Sequence, residues 1–196
     1  MYDAVCLASG GLDSVVCLHL LHKQGIKTLP VFINYGQRNL SKEFTALSVN
    51  LKAAKFPDPV VANISGFGKI IRSGLTDPKK RVLEDAFTPN RNLLFLTVGA
   101  SVAFSRGVSS VILGFLSEKT AIFPDQSDKF LSSARNAISE SLGTEFQIIC
   151  PLRDMVKNDV VRLASKLGIK GSYSCHSGTA KPCGKCIACL EYNIGE

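Results

Sequence analysis

Two groups of residues in this chain have types and spacings suited to chemistry. The first is Ser9-Gly10-Gly11-Leu12-Asp13-Ser14, close behind an apolar run. Adjacent glycines let the backbone turn tightly and approach a ligand closely. A helix opening at this point presents unpaired N–H groups and the positive end of its dipole, which together favour an anion. Ser9 and Ser14 add hydroxyl donors beside them. The segment is not a Walker A loop, since no Gly-Lys-Ser/Thr follows, and it lacks the third glycine of the dinucleotide fingerprint. A plain Gly-Gly turn with a serine cap is the competing reading.

The second group is Cys175, Cys183, Cys186 and Cys189. The last three follow one another at x-x spacing, and four thiolates complete a tetrahedral zinc shell with no open position. Such a site is structural. Gly184 suits the turn it needs, and Lys181 and Lys185 offset the thiolate charge. A redox dithiol, an iron–sulfur cluster and an unliganded tail are the alternatives. His176, next to Cys175, is poorly placed as a fifth candidate ligand and reads as a loop residue near the nucleotide site. Cys6, Cys17 and Cys150 lie in apolar surroundings and read as small buried hydrophobes. His19 and His22 fall within the first expected helix and read as surface or satisfied histidines.

The elements that must position these groups alternate between strand and helix patterns, the signature of a parallel sheet with crossover helices. Strands are expected at residues 4–8, 29–33, 60–64, 108–113 and 146–150. Helices are expected at 11–24, 41–55, 92–104, 127–142 and 154–167, with Ser41 as an N-cap and Gly25, Gly143 and Gly168 as stops. Residues 65–89 are rich in Gly, Pro and charge, which predicts a short helix and a mobile loop. The cysteine-rich tail is expected to be irregular until a metal organises it. The expected organisation is an ATP-binding α/β domain over residues 1–170, with a zinc-binding segment, 171–196, packed on it.

Composition narrows the class. The 196 residues are 45% hydrophobic and 20% charged, a globular balance, and no apolar run is long enough to span a bilayer. The N-terminus enters a strand pattern at once, so a cytoplasmic protein with no membrane partner is expected. The formal charge of +7 fits either a nucleic acid or small anions such as nucleotide phosphates. Lys and Arg are dispersed apart from Lys79-Lys80-Arg81, so no direct nucleic-acid partner is expected.

Ser9-Gly10-Gly11-Leu12-Asp13-Ser14 resembles the pyrophosphate loop of the ATP pyrophosphatases, also called PP-loop proteins. The resemblance implies a Rossmann-like fold and ATP cleavage between the α- and β-phosphates. Residues Ser9, Gly10, Gly11, Leu12, Asp13 and Ser14 would bind ATP, and Asp13 would help place Mg²⁺. The tail, Tyr173-Ser174-Cys175-His176 and then Cys183-Gly-x-Cys186-x-x-Cys189, is similar to the zinc motif of the 7-cyano-7-deazaguanine synthase family. Further segments agree in order: Tyr35-Gly36-Gln37-Arg38 with Glu43, Pro89-x-Arg91-Asn92, Gly114, Phe123-Pro124-Asp125, Pro151-Leu152 and Lys157. This resemblance implies that 7-carboxy-7-deazaguanine is adenylated and amidated with ammonia, then adenylated again and dehydrated to the nitrile. It implies catalytic roles for Ser9, Asp13, Ser14 and Arg91. Substrate contacts would come from Tyr35, Gln37, Arg38, Arg91, Asn92, Gly114 and Asp125, and Zn²⁺ would be held by Cys175, Cys183, Cys186 and Cys189. A homodimer is likewise implied.

Some positions depart from that pattern. Gln126 and Ser127 stand where the family usually has Cys-Arg, and Leu190-Glu191 stands where an Arg is usual. These changes put the product in question. A divergent relative that stops at the amide, or joins the activated acid to another amine, including one on a protein, is one alternative. A PP-loop tRNA thiolase and an inactive nucleotide-binding protein are two others.

Overall fold

The computed structural model describes residues 1–193. Five strands, β1 (Ala4–Leu7), β2 (Thr28–Asn34), β3 (Val60–Asn63), β4 (Ser110–Ile112) and β5 (Gln147–Ile149), form one sheet in the order β3-β2-β1-β4-β5. Every pairing is parallel. The helices are α1 (Leu12–Lys23), α2 (Leu40–Ala53), α3 (Gly66–Ile70), α4 (Arg91–Phe104), α5 (Asp128–Leu142), α6 (Lys157–Lys166) and α7 (Ile187–Asn193).

The period-two alternation of the strands divides the core into two layers. Cys6, Phe32 and Ile112 face α1, α2 and α6, in a cluster that includes Leu18, Leu47, Leu51, Leu152 and Val160. Val5, Val31, Ile33 and Val111 face α4 and α5, with Leu96, Ala100, Ala134, Ile138 and Phe146. The sheet is therefore covered on both faces, as an all-parallel sheet must be. A third, smaller cluster holds Cys175, Cys186, Ala188 and Cys189 against Val82.

The chain leaves β1 toward β2 and β3, then crosses to β4 on the other side of β1. In open parallel sheets the crevice beyond the strand ends at such a switch point is where ligands bind. The Ser9–Ser14 segment leaves β1 at that crevice, and Gly114 follows β4 on its other wall.

The structure differs from the sequence reading in three places. The α2 N-cap is Asn39 and not Ser41, which lies inside the first turn. The Asn39 amide is drawn inward, donating to the Glu43 Oε1 and to the Cys175 carbonyl, each at 3.1 Å. Residues 71–90 form a packed cover, with Ser73, Leu75, Asp77, Val82, Ala86 and Thr88 buried. Their sequence carries few apolar residues because much of the segment is held by short polar links, such as Ser73 Oγ to Thr88 Oγ1 at 2.6 Å. The tail contains a regular helix, α7, which packs on α6. The last three residues of the expected segment 171–196 lie outside the described residues.

Phe146 is fully buried between β4, α4 and α5. Phe146→Ala is expected to cost about 3–5 kcal/mol, because the cavity left behind closes only in part. Denaturant unfolding at fixed pH checks this.

Candidate active site and metal centre

The Ser9–Ser14 loop is closed by its own side chains. The Ser14 hydroxyl donates to the Gly11 carbonyl at 2.9 Å and accepts from the Ser9 N–H at 3.2 Å. The Gly11 N–H donates to Ser9 Oγ at 3.2 Å. Gly10 has a φ of +84°, and a Cβ there would lie 2.3 Å from the Glu43 carbonyl oxygen. Only glycine lets the loop pass so close to α2 in that conformation. Gly114 solves the matching problem on the other side, since a Cβ there would stand 3.0 Å from the Asp13 carbonyl carbon. The first N–H groups of α1, which have no intrahelical partner, lie between these two close approaches.

The tail grips the same loop. The Tyr173 N–H donates to the Gly10 carbonyl at 3.0 Å. Ser174 Oγ accepts from the Leu12 N–H at 3.5 Å and shares a hydrogen bond with the Tyr192 hydroxyl at 3.0 Å.

Above the loop lies a cavity of about 310 Å³, lined by Ser9, Gly11, Asp13, Ser14, Tyr35, Gln37, Glu43, Arg91, Asn92, Phe95, Gly114, Phe123, Gln126, Lys157, His176 and Glu191, among others. That volume is at the lower end of the range for small-molecule sites. One wall is aromatic: the Tyr35 and Phe95 rings are 5.0 Å apart, with the Arg91 guanidinium 5.9 Å from the Phe95 ring. The other wall is charged. Lys157 Nζ lies 3.0 and 2.8 Å from the two Asp13 carboxylate oxygens and 3.2 Å from Glu191 Oε2. Burial works against the Lys157 ammonium, but the Asp13 and Glu191 carboxylates outweigh it and hold its pKa above the usual value.

The residues expected to contact substrate divide into two sets. Tyr35, Gln37, Arg91, Asn92 and Gly114 line the cavity. Arg38 is not among its lining residues, and its Nη1 donates to the Gly74 carbonyl at 3.0 Å. Asp125 stands just behind the wall, its carbonyl accepting from Asn92 Nδ2 at 3.2 Å and its Oδ1 buried without a partner. The Gln37 amide is spent on the protein: it accepts from the Tyr35 N–H and donates to the Ile33 carbonyl and to Glu43 Oε2, all within 3.1 Å.

Several residues with structural duties here were not singled out from sequence. Arg153 donates to Asp128, to the Leu116 carbonyl and to the Gln126 carbonyl at 2.7–3.0 Å, which ties down the loop carrying Phe123 and Asp125. No short-range pattern marks it, because its partners come from three separate positions in the chain. The departures noted above also have local duties. Gln126 Oε1 accepts from the Ile122 and Phe123 N–H groups, and Ser127 caps α5 by accepting from the Phe130 N–H at 3.1 Å. Glu191 pairs with Lys157.

The four tail cysteines place their Sγ atoms within 4.8 Å of one another. Sulfurs bound tetrahedrally at about 2.3 Å to one ion stand roughly 3.8 Å apart. Cys183 and Cys189 Sγ are at 3.9 Å. Backbone N–H groups already point at the sulfurs, from His176 to Cys186 Sγ at 3.4 Å and from Cys183 to Cys175 Sγ at 3.3 Å. The donor set fits a single tetrahedral metal ion.

A profile of the family described as Queuosine biosynthesis protein QueC matches residues 3–195. The chain belongs to this family. It is 32% identical to the 7-cyano-7-deazaguanine synthase of Caldicellulosiruptor bescii, over 96% of this chain and 89% of that protein. It is 30% identical to the enzyme of the same name from Nitratiruptor sp., over 95% of this chain and 90% of that one. The family is thus one of enzymes. Among solved structures, NMN synthetase from Francisella tularensis superposes with a TM-score of 0.60 at 14% identity, covering 93% of this chain and 71% of that one. The U34-tRNA thiolase NcsA of Methanococcus maripaludis superposes at 0.62 and 14% identity, covering 98% and 64%. Both likenesses concern the fold.

Glu43 is the titratable group of the cavity with the clearest pH signature. Burial raises its pKa from the usual 4.5 to about 7, against the hydrogen bonds from Gln37 and Asn39 and the Arg91 charge. Between those values the unfolded chain releases the proton while the folded protein keeps it, so folding stability falls as pH rises through the window. Glu43→Gln removes that penalty. Its melting temperature relative to the parent is therefore expected to rise from pH 4.5 to 7 and level off above, as thermal melts across pH would show.

Proposed function

We propose that the chain activates 7-carboxy-7-deazaguanine with ATP and combines it with ammonia, forming the amide and then 7-cyano-7-deazaguanine. The observation that carries this reading is the convergence, on one cavity, of the Ser9–Ser14 loop, the Tyr35–Phe95–Arg91 wall and the Lys157 ammonium. A carboxylate does not react with ammonia until one oxygen becomes a leaving group, and adenylation supplies AMP as that group. The N–H groups at the start of α1 would hold the departing pyrophosphate, as helix N-termini hold phosphates. Lys157 and Arg91 would face the charge that develops at the α-phosphate. Tyr35 and Phe95 offer the flat apolar contact that a deazaguanine ring requires. Asp125, whose Oδ1 is buried without a partner, would accept from the N1–H and 2-amino edge of that ring. Mg²⁺, carried with ATP and held by Asp13, would neutralise the phosphate oxygens.

We assign Zn²⁺ to the cysteine cluster. Four sulfurs mutually within 4.8 Å surround the space of one ion, and an all-thiolate shell leaves no position for substrate. The other thiols argue for a synthase over a thiolase. Burial pushes Cys6 up to about 12 and Cys150 up to about 11, and raises Cys17 too, so none is poised as a thiolate. Cys186→Ser is expected to lose the metal and most soluble protein together. Metal analysis of the surviving fraction checks this, and one zinc still bound per chain would show the ligand set to be wrong.

The deciding experiment is ATP consumption and product mass with this acid, Mg²⁺ and ammonium. The nitrile is the expected product, with AMP and pyrophosphate. A product that stops at the amide would instead favour the divergent-relative reading, to which the cavity positions of Gln126 and Glu191 give a physical basis. Ser14→Ala, which removes the hydroxyl that closes the loop, is expected to reduce pyrophosphate release at least about 100-fold while the fold is kept. Unchanged release would take the loop out of the mechanism.

A further inference from the structure

Among the described residues, three buried side-chain polar atoms have no hydrogen-bond partner: Arg91 Nε, Asp125 Oδ1 and His176 Nδ1. Buried polar groups are ordinarily paired, and an orphan calls for an explanation. Here the three share a location. Arg91 and His176 line the same cavity, and Asp125 sits between the lining residues Phe123 and Gln126. Orphans gathered at one cavity are what a site looks like when a ligand supplies the missing partners.

His176 is held there by the cysteine cluster. Its N–H is anchored on Cys186 Sγ at 3.4 Å, and the carbonyl of Cys175 before it is anchored on Asn39 Nδ2 at 3.1 Å. Both bonds hold the one peptide unit that precedes the imidazole, and His176 lines the cavity. Arg91 and Lys157 are cations that line the same cavity. A ligand atom that accepts from both an imidazole N–H and a guanidinium N–H is best an anionic oxygen.

We propose that His176 is a ligand-contacting residue of this cavity, with its Nδ1–H and the Arg91 Nε–H donating to one oxyanion. The oxyanion belongs either to the carboxylate of the acid or to a phosphoryl group of the nucleotide. This deepens the reading given under Proposed function and rests on it for the identity of the acid. It also gives the metal a task in the site: by fixing Cys175 and Cys186, the metal aims the residue beside them.

The test compares His176→Gln and His176→Asn with the parent protein. An asparagine amide nitrogen occupies the place of imidazole Nδ1, whereas a glutamine amide reaches that of Nε2. Metal content is measured first, then the affinity of each protein for ATP and, separately, for 7-carboxy-7-deazaguanine by calorimetry. Both variants are expected to keep the parent's metal content. The Gln variant is expected to bind one of the two ligands about 10- to 100-fold more weakly, the worth of one hydrogen bond to a charged group, and the Asn variant to recover most of that loss. Loss confined to the acid assigns the oxyanion to its carboxylate; loss confined to ATP assigns it to a phosphoryl group. Unchanged affinity for both ligands in the Gln variant overturns the proposal. So does an Asn variant no better than Gln, or loss of metal from both variants alike, which would make the side chain a part of the cysteine cluster's folding. A parent protein that binds ATP but not this acid defeats the substrate assignment alone and leaves the ATP arm of the test standing.

Discussion

The constraint on which the rest of this structure depends is the fixing of the Ser9–Ser14 loop from both sides by close backbone approaches. Gly10 passes within contact of the α2 backbone, Gly114 passes within contact of the first turn of α1, and Tyr173 closes the loop from the tail. Each is a backbone-to-backbone approach, and within that frame the hydroxyls of Ser14, Ser9 and Ser174 accept from the N–H groups of Ser9, Gly11 and Leu12. The sheet order follows from the same need. A parallel sheet with its switch point at β1 and β4 places the ends of both strands beside one helix N-terminus, and no other pair of strands in this order does so.

The tail is joined to this arrangement by specific bonds. Asn39 gives up the usual duty of an N-cap side chain to bridge Glu43 and the Cys175 carbonyl. Val82, from the 71–90 cover, completes the apolar surroundings of the cysteines. α7 then carries Glu191 to Lys157 and Tyr192 to Ser174. A segment too short to build a core of its own is thus given a metal-sized cluster at its centre and polar contacts at its edge. Those contacts fall on the residues that line the cavity, so order in the cysteine cluster and order in the cavity are coupled.

How much of this was legible in the sequence differs by element. The strands and the long helices follow from apolar periodicity, and the structure places them within a few residues of the expected bounds. The cysteine cluster was legible because x-x spacing is a local signal with a geometric meaning. The 71–90 cover and the tail helix were not, since the former is held by short polar bonds and the latter is a short helix that packs on α6. Within the site, the loop and Arg91 were legible as motif residues. Arg153, Asn39 and Ser174 act through partners up to 162 positions away, and nothing in their neighbourhoods announces such a contact. Gln37 shows the converse: a motif glutamine on the cavity wall has its amide committed to the protein.

The positions that depart from the family pattern bear on what the cavity can accept. Gln126 has an amide whose oxygen binds two backbone N–H groups of its own loop, and Ser127 caps α5. Both stiffen the segment that carries Phe123 and Asp125, and Arg153 supplies from another element a guanidinium that holds the same segment. Glu191 pairs with Lys157, which already faces Asp13. Two carboxylates thus share one ammonium on that wall. An anionic ligand entering there must draw Lys157 from its partners, whereas a cationic or neutral amine meets Glu191 at no such cost. The phosphates of a nucleotide, which Lys157 would face, must therefore compete with Asp13 and Glu191 for its ammonium.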